Sequence, residues 1–250
     1  MNTGAPWRFI FNPDVQLRQQ VTDVHNHVEY IARPGMICRE LINTSLSEVR
    51  IDFDRYTHLL PEGQRLISGW FERAWGMRDC QGDDCFEAFI FAWIAFNGWA
   101  ACITERDDDY KYLDALKRNQ MLSLDFERLV AIPESSFALH AVQFAAQWPI
   151  FDARVLRRRQ IIVAYELDRR TVIKHYLDAG VTAFAPQCWK RHNDTKGQVP
   201  LDWPHTLTAL YRVRCNLFHG EKAAHSEMDQ RIVSSAFRTL VYFLREAGYL

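Results

Sequence analysis

Glycine and proline are scarce in this chain of 250 residues, at 11 and 9, which excludes collagen-like repeats and low-complexity linkers as its main substance. No excess of charge is present either: 30 Lys and Arg stand against 31 Asp and Glu, for a net charge of −1. A global basic field announcing a nucleic-acid partner is therefore missing, so any anionic ligand must be met by a local cluster. There is no Walker loop, no dinucleotide-binding glycine fingerprint and no serine nucleophile elbow. The N-terminus, MNTGAPWRFIFNPD, has no basic start followed by a long apolar run and no small-residue cleavage site, so an unprocessed cytoplasmic protein is expected. The cysteines Cys38, Cys80, Cys85, Cys102, Cys188 and Cys215 form no regular framework and are expected as buried free thiols.

What the chain does have is apolar bulk: 48% hydrophobic residues, with 16 Phe and 8 Trp. That is enough for a large aromatic core. The most apolar stretch, Cys85 to Ile103 (CFEAFIFAWIAFNGWAACI), approaches the length of a membrane span. Glu87 and Asn97 interrupt it and aromatics fill its middle, so it reads as a buried central helix, and no membrane partner is expected.

Periodicity gives the plan. Leu66, Ile67, Trp70, Phe71, Ala74 and Trp75 recur at three- and four-residue steps, and Asp83 with Asp84 suits the start of the central helix. Residues 104–125 read as a polar turn and a surface helix, and Phe137 to Trp148 as another helix. Asp152 to Ala179 reads as a long charged run stopped by Gly180, and Trp189 to Pro204 as a polar loop. Ser226 and Asp229 form a capping-box-like start for a last helix striped by Val233, Ala236, Phe237, Leu240 and Leu244. An all-α fold follows: helices at 62–78, 84–103, 203–219 and 226–248 form a four-helix bundle within a domain of residues 61–250. A helical insertion at about 104–202 decorates it, and a mixed N-terminal extension, 1–60, packs on it. Within that extension Met36 to Phe53 is irregular or a small hairpin, with a turn at Pro34 and Gly35.

The segment that carries chemistry is Tyr211 to Lys222, YRVRCNLFHGEK. At 100° per residue, Leu207, Leu210, Tyr211, Leu217 and Phe218 share one side of a helix, and Arg214 lands in the middle of it. An unpaired buried guanidinium costs several kcal/mol, so Arg214 must find an anion, a carbonyl cluster or a solvated crevice. His219 lies five residues on, about 140° around the helix, just before the helix-ending Gly220. Arg212, seven residues before His219, shares its face. Geometry alone does not choose between the two arginines. The apolar setting favours Arg214 as the site residue and Arg212 as a solvated neighbour.

Arg214-Cys215-Asn216-Leu217-Phe218-His219-Gly220, with the aromatic stretch FIFAWIAFNGW upstream, resembles the HEPN (higher eukaryotes and prokaryotes nucleotide-binding) ribonucleases. These carry an Arg, four to six residues and then a His at the end of a bundle helix, with a polar residue, often Asn, after the Arg. Cys215 stands at that position here. The resemblance implies a HEPN-type four-helix bundle and a metal-independent endoribonuclease that needs no cofactor. It also implies catalytic roles for Arg214 and His219, with Asn216, Arg212 and Lys222 as substrate-binding residues. RNA would be the partner, cut by its own 2′-hydroxyl to leave 2′,3′-cyclic phosphate ends. A homodimer with a composite site, a toxin or phage-defence role, and an antitoxin or regulatory partner are further implications. The alternative is a catalytically silent module that binds RNA, a nucleotide or a protein.

Other signals read as bland. Arg154 with Arg157, Arg158 and Arg159, and Lys190 with Arg191, offer phosphate contacts but are expected as a solvated helix face and loop. Cys80 with Cys85, and Cys188 with His192, have loosely metal-like spacing without a second half, so free thiols are expected. His25, His27 and Asp107 to Asp109 read as surface features.

Overall fold

Most helix starts among the described residues are set by short polar side chains that accept the first free backbone N–H groups. In the computed structural model, which describes residues 51–132, 134–161, 167–220 and 226–250, eleven helices and one two-stranded sheet succeed one another. After one turn of helix, α1 (Asp54–Thr57), comes α2 (Pro61–Gly76), with proline at its start where no N–H is needed. The long apolar helix is α3 (Asp84–Thr104). Asp108 caps α4 (Asp109–Arg118), Asn119 caps α5 (Gln120–Val130) and Ser135 caps α6 (Ser136–Ala145). Strand β1 (Ile150–Phe151) leads through the cap Asp152 into α7 (Ala153–Arg158), and Asp168 caps α8 (Arg169–Asp178). Strand β2 (Phe184–Ala185) pairs antiparallel with β1, Phe184 opposite Phe151. A short α9 (Trp189–Asp194) precedes α10 (Trp203–Phe218), capped by Asp202, and α11 (Glu227–Glu246). At the last of these, Ser226 accepts from the Asp229 N–H, as its sequence suggests.

Helix α3 packs against α2 on one flank and α11 on another. Ala88, Phe89, Ala92, Trp93, Phe96 and Trp99 are buried, the alanines letting neighbours approach and the rings filling the space between them. Each fully buried large side chain contributes about 1.5–3 kcal/mol. By length and composition alone, Asp84–Thr104 is the one helix among the described residues able to cross a membrane, and half of its apolar window is buried inside the fold.

The insertion does more than decorate. Helix α6 packs along α11, and α10 contacts α4 and α5. Phe126, Phe137 and Phe243 meet at 5.1–5.7 Å between ring centres, and Trp203 tilts over Phe243 at 4.6 Å. The Trp203 indole N–H donates to the Leu116 carbonyl at 2.9 Å, fastening the start of α10 to the end of α4. The reason is amphipathicity: Phe137, Ala141 and Phe144 make one apolar face of α6 that needs covering, and it joins the same core as the four expected helices.

Four local expectations change. Residues 104–125 hold two helices, because Asn119 takes extended backbone and caps the second. The run from Asp152 to Ala179 is two helices, α7 and α8, with Gln160 in the left-handed region (φ 54°) ending the first turn sequence and Asp168 restarting the helix. Cys80 and Cys85 are joined as a disulfide rather than free, their Cα atoms 5.5 Å apart across the turn at Gly82, whose φ of 59° suits glycine. The loop expected from Trp189 also contains α9. Of the N-terminal extension, only 51–60 is described. Residues 51–60 pack on the helical core, with the Phe53 ring 5.3 Å from that of Tyr249. His25, His27, the turn at Pro34 and nearly all of Met36 to Phe53 lie outside the described residues.

Candidate active site

Leu207, Leu210 and Val213 turn one face of α10 into the core, which leaves Arg212, Arg214 and the last turn to the flanks. On one flank, Asn216 is buried and spends both ends of its amide on backbone. Its Nδ2 donates to the Phe151 carbonyl at 2.8 Å, and its Oδ1 accepts from the Ala153 N–H at 3.1 Å. The amide thus mimics a strand partner and joins the end of α10 to the β1–α7 junction. Its observed role is structural.

That junction carries Asp152 to α10. The buried Asp152 carboxylate caps α7 through the Arg154 N–H (3.0 Å) and receives the Arg154 side chain at Nε (3.4 Å) and Nη2 (3.3 Å). Arg212 donates to the same carboxylate from α10. Burial alone would push this carboxyl upward. The hydrogen bond from Arg154 and the charges of Arg212 and Arg154 outweigh it and hold the group below the usual carboxylate range. From this hub Arg154 extends Nη1 to within 3.5 Å of His219 Nε2, the outer limit of a hydrogen bond. His219 itself is exposed and caps the C-terminus of α10, its N–H donating to the Cys215 carbonyl at 3.2 Å. Gly220 ends the helix with a φ of 68°, a conformation glycine adopts without strain.

Arg214 goes to the other flank. Its Nη2 lies 3.1 Å from Asp109 Oδ2 of α4, with both side chains about three-quarters buried, at 23% and 25% exposure. The guanidinium also lies over the rings of Phe218, Tyr211 and Trp93, at 5.0, 5.8 and 6.0 Å. The Tyr112 hydroxyl donates to Asp109 at 2.9 Å and also meets the Asn97 side-chain amide. Burial and the neighbouring Asp109 push that phenol far up. The anion that Arg214 requires is thus Asp109, from a triplet that reads as mere surface, while Asp108 beside it caps α4.

The regular helix therefore keeps its angular arithmetic. Arg212 and His219 meet in one cluster, and no hydrogen bond or ion pair joins Arg214 to His219 among the described residues. Cys215 is buried beside the Tyr211 hydroxyl, whose pKa is pushed up to about 12 by burial and by Cys215 and Asp109. Lys222 lies outside the described residues. Asp152 is the addition that sequence reasoning missed, and Arg154, weighed as a phosphate contact but read as part of a solvated helix face, joins it here. The signal for Asp152 was available, an Asp directly after the apolar pair Ile150–Phe151 and before a helical run.

Elsewhere, Arg159 donates to the Ala179 and Gly180 carbonyls at 3.4 and 3.0 Å, closing the end of α8. No group of three or more His, Cys, Asp or Glu side chains placed to hold a metal occurs among the described residues, Cys188 and His192 included. Chemically, the cluster offers an imidazole at the surface, the side chain suited to moving protons near neutral pH, beside forked cations suited to phosphate oxygens. No protein-family model, curated protein or solved structure matches this chain.

Proposed function

We propose that this chain is a metal-independent endoribonuclease of HEPN type, its four expected helices forming the family bundle and His219 moving the proton. The observation that carries the reading is an exposed His219 ring at the end of α10, 3.5 Å from a guanidinium anchored by a buried carboxylate. RNA brings its own nucleophile. The His219 ring takes the proton of a 2′-hydroxyl, O2′ bonds to phosphorus, and the P–O5′ bond breaks as the departing oxygen takes up a proton from solvent. The cations gathered at Asp152 stabilise the charge that builds on the non-bridging oxygens. Products are a 2′,3′-cyclic phosphate and a 5′-hydroxyl end. Arg214, through Asp109, holds the last turn of α10 and serves as a positioning residue. A homodimer that joins two such ends into one site, and a toxin or defence role held in check by a partner protein, complete the proposal.

A silent RNA-binding module is the second reading, favoured by one observation: the charge of Arg214 is already matched by Asp109. Incubating a labelled RNA pool in EDTA with wild type and His219→Ala decides between them. The ribonuclease reading expects cleavage by wild type and loss of at least a hundredfold in the variant. Equal activity in both would sink it, and bound but uncut RNA would leave the silent module standing.

A further inference from the structure

We propose that Arg154, in the insertion, is the residue that grips the scissile phosphate, with Asp152 as its positioning residue. This rests on the ribonuclease reading above. Charge matching singles it out. Arg214 faces Asp109 as a one-to-one pair, which leaves little attraction for an anion. At the other flank two guanidinium groups, Arg212 and Arg154, share the single carboxylate of Asp152, and among the described residues one unit of positive charge is left over beside His219. Of the two, Arg154 is the outer cation, with a side chain 37% exposed against 23% for Arg212.

The fork geometry adds direction. Asp152 holds Arg154 side-on through Nε and Nη2, which fixes the plane of the guanidinium and turns Nη1 toward His219. A guanidinium only donates, so the Nε2 it faces must accept, and the neutral ring keeps its hydrogen on Nδ1. A phosphate oxygen entering between the two takes over Nη1 and frees the Nε2 lone pair for the 2′-hydroxyl proton. Arg158, exposed one turn further along α7 and on the same face as Arg154, continues the track to a flanking phosphate.

The test uses the full chain and a fluorescein-labelled 2′-O-methyl oligouridylate, which offers phosphates and cannot be cut. Anisotropy across a salt series is compared for wild type, Arg154→Ala, Arg154→Lys and the remote control Arg65→Ala. Arg154→Ala should bind about tenfold more weakly and lose about 0.7 from the slope of log K against log salt, the value for one single-strand phosphate contact. Arg154→Lys should keep the slope, and Arg65→Ala should match wild type. Nitrogen-15 spectra should show His219 as the Nδ1–H form in wild type, and that preference should vanish in Arg154→Ala. Unchanged affinity and slope in a folded Arg154→Ala overturn the proposal and reduce Arg154 to a brace for α7. If wild type proves unable to cut RNA while Arg154→Ala still loses the slope, the phosphate contact stands and the ribonuclease reading falls.

Discussion

Asp152 is the residue on which the site depends, and its removal has a calculable cost. Asp152→Ala deletes the cap of α7, worth about 1 kcal/mol, and strands two guanidinium groups. Breaking a fully buried pair costs about 3–5 kcal/mol. Here Asp152 is 9% exposed but Arg212 and Arg154 are 23% and 37% exposed, so water recovers part of that. About 2 kcal/mol is a fair share, discounted for screening. The total, about 3 kcal/mol, corresponds to a melting-point drop of roughly 6–12 °C in a chain of this size. Asp152→Asn keeps the cap at Oδ1 but loses the charge and puts an NH2 donor where Oδ2 accepts from Arg154 and Arg212, so it should cost about 2 kcal/mol. The sign with pH follows from the carboxyl being held below its ordinary value. Its contribution is complete above the unfolded value of about 3.9 and disappears as pH falls through the lower folded value. The deficit of Asp152→Asn seen at pH 7 should therefore begin to shrink below about pH 4 and close only as pH falls past the lower folded value. Urea unfolding followed by far-UV circular dichroism at pH 7 and in steps down to pH 3.5 measures both effects. An Asp152→Ala protein within about 0.5 kcal/mol of wild type at pH 7 would refute the hub, because even loss of the cap alone exceeds that.

Two further outcomes separate structural from chemical roles. Asn216→Ala leaves the buried Phe151 carbonyl and the partly buried Ala153 N–H without the Asn216 amide, and should cost about 2 kcal/mol in urea unfolding. A neutral result would show that α7 does not depend on α10 for its place. If Arg214 works through its ion pair, Asp109→Asn and Arg214→Ala should lower the cleavage rate by similar factors. A far larger loss in Arg214→Ala than in Asp109→Asn would mean that Arg214 meets the substrate itself.

The helices at 61–76, 84–104, 203–218 and 227–246 were legible because apolar periodicity is a local property, written in Ile67, Phe71 and Ala74 or in Val233, Ala236, Phe237 and Leu240. What covers an apolar face is not local. Phe137, Ala141 and Phe144 mark a buried stripe, yet nothing in the stripe says that its partner is α11, about a hundred residues away. The break in the 152–179 run was missed for a different reason: charged residues fill both helices alike, and the division lies in the backbone at Gln160 and in the cap Asp168. At the site, wheel arithmetic correctly put Arg212 on the face of His219, whereas Arg214, set amid apolar rings, turns to the other flank and pairs with Asp109. An arginine amid rings signals a buried ion pair as readily as a catalytic one. Arg154 lies 65 residues from His219, and the β1–β2 ladder, the Asn216 amide and the Arg212–Asp152 ion pair bring it there.

Mass spectrometry of product ends tests the central claim most directly. Wild-type protein in EDTA is given an oligoribonucleotide and its 2′-O-methyl counterpart of the same sequence. The account predicts that only the first is cut, leaving 2′,3′-cyclic phosphate and 5′-hydroxyl termini. Cleavage of the 2′-O-methyl strand, or 5′-phosphate ends from either, would contradict attack by the 2′-hydroxyl and with it the role assigned to His219.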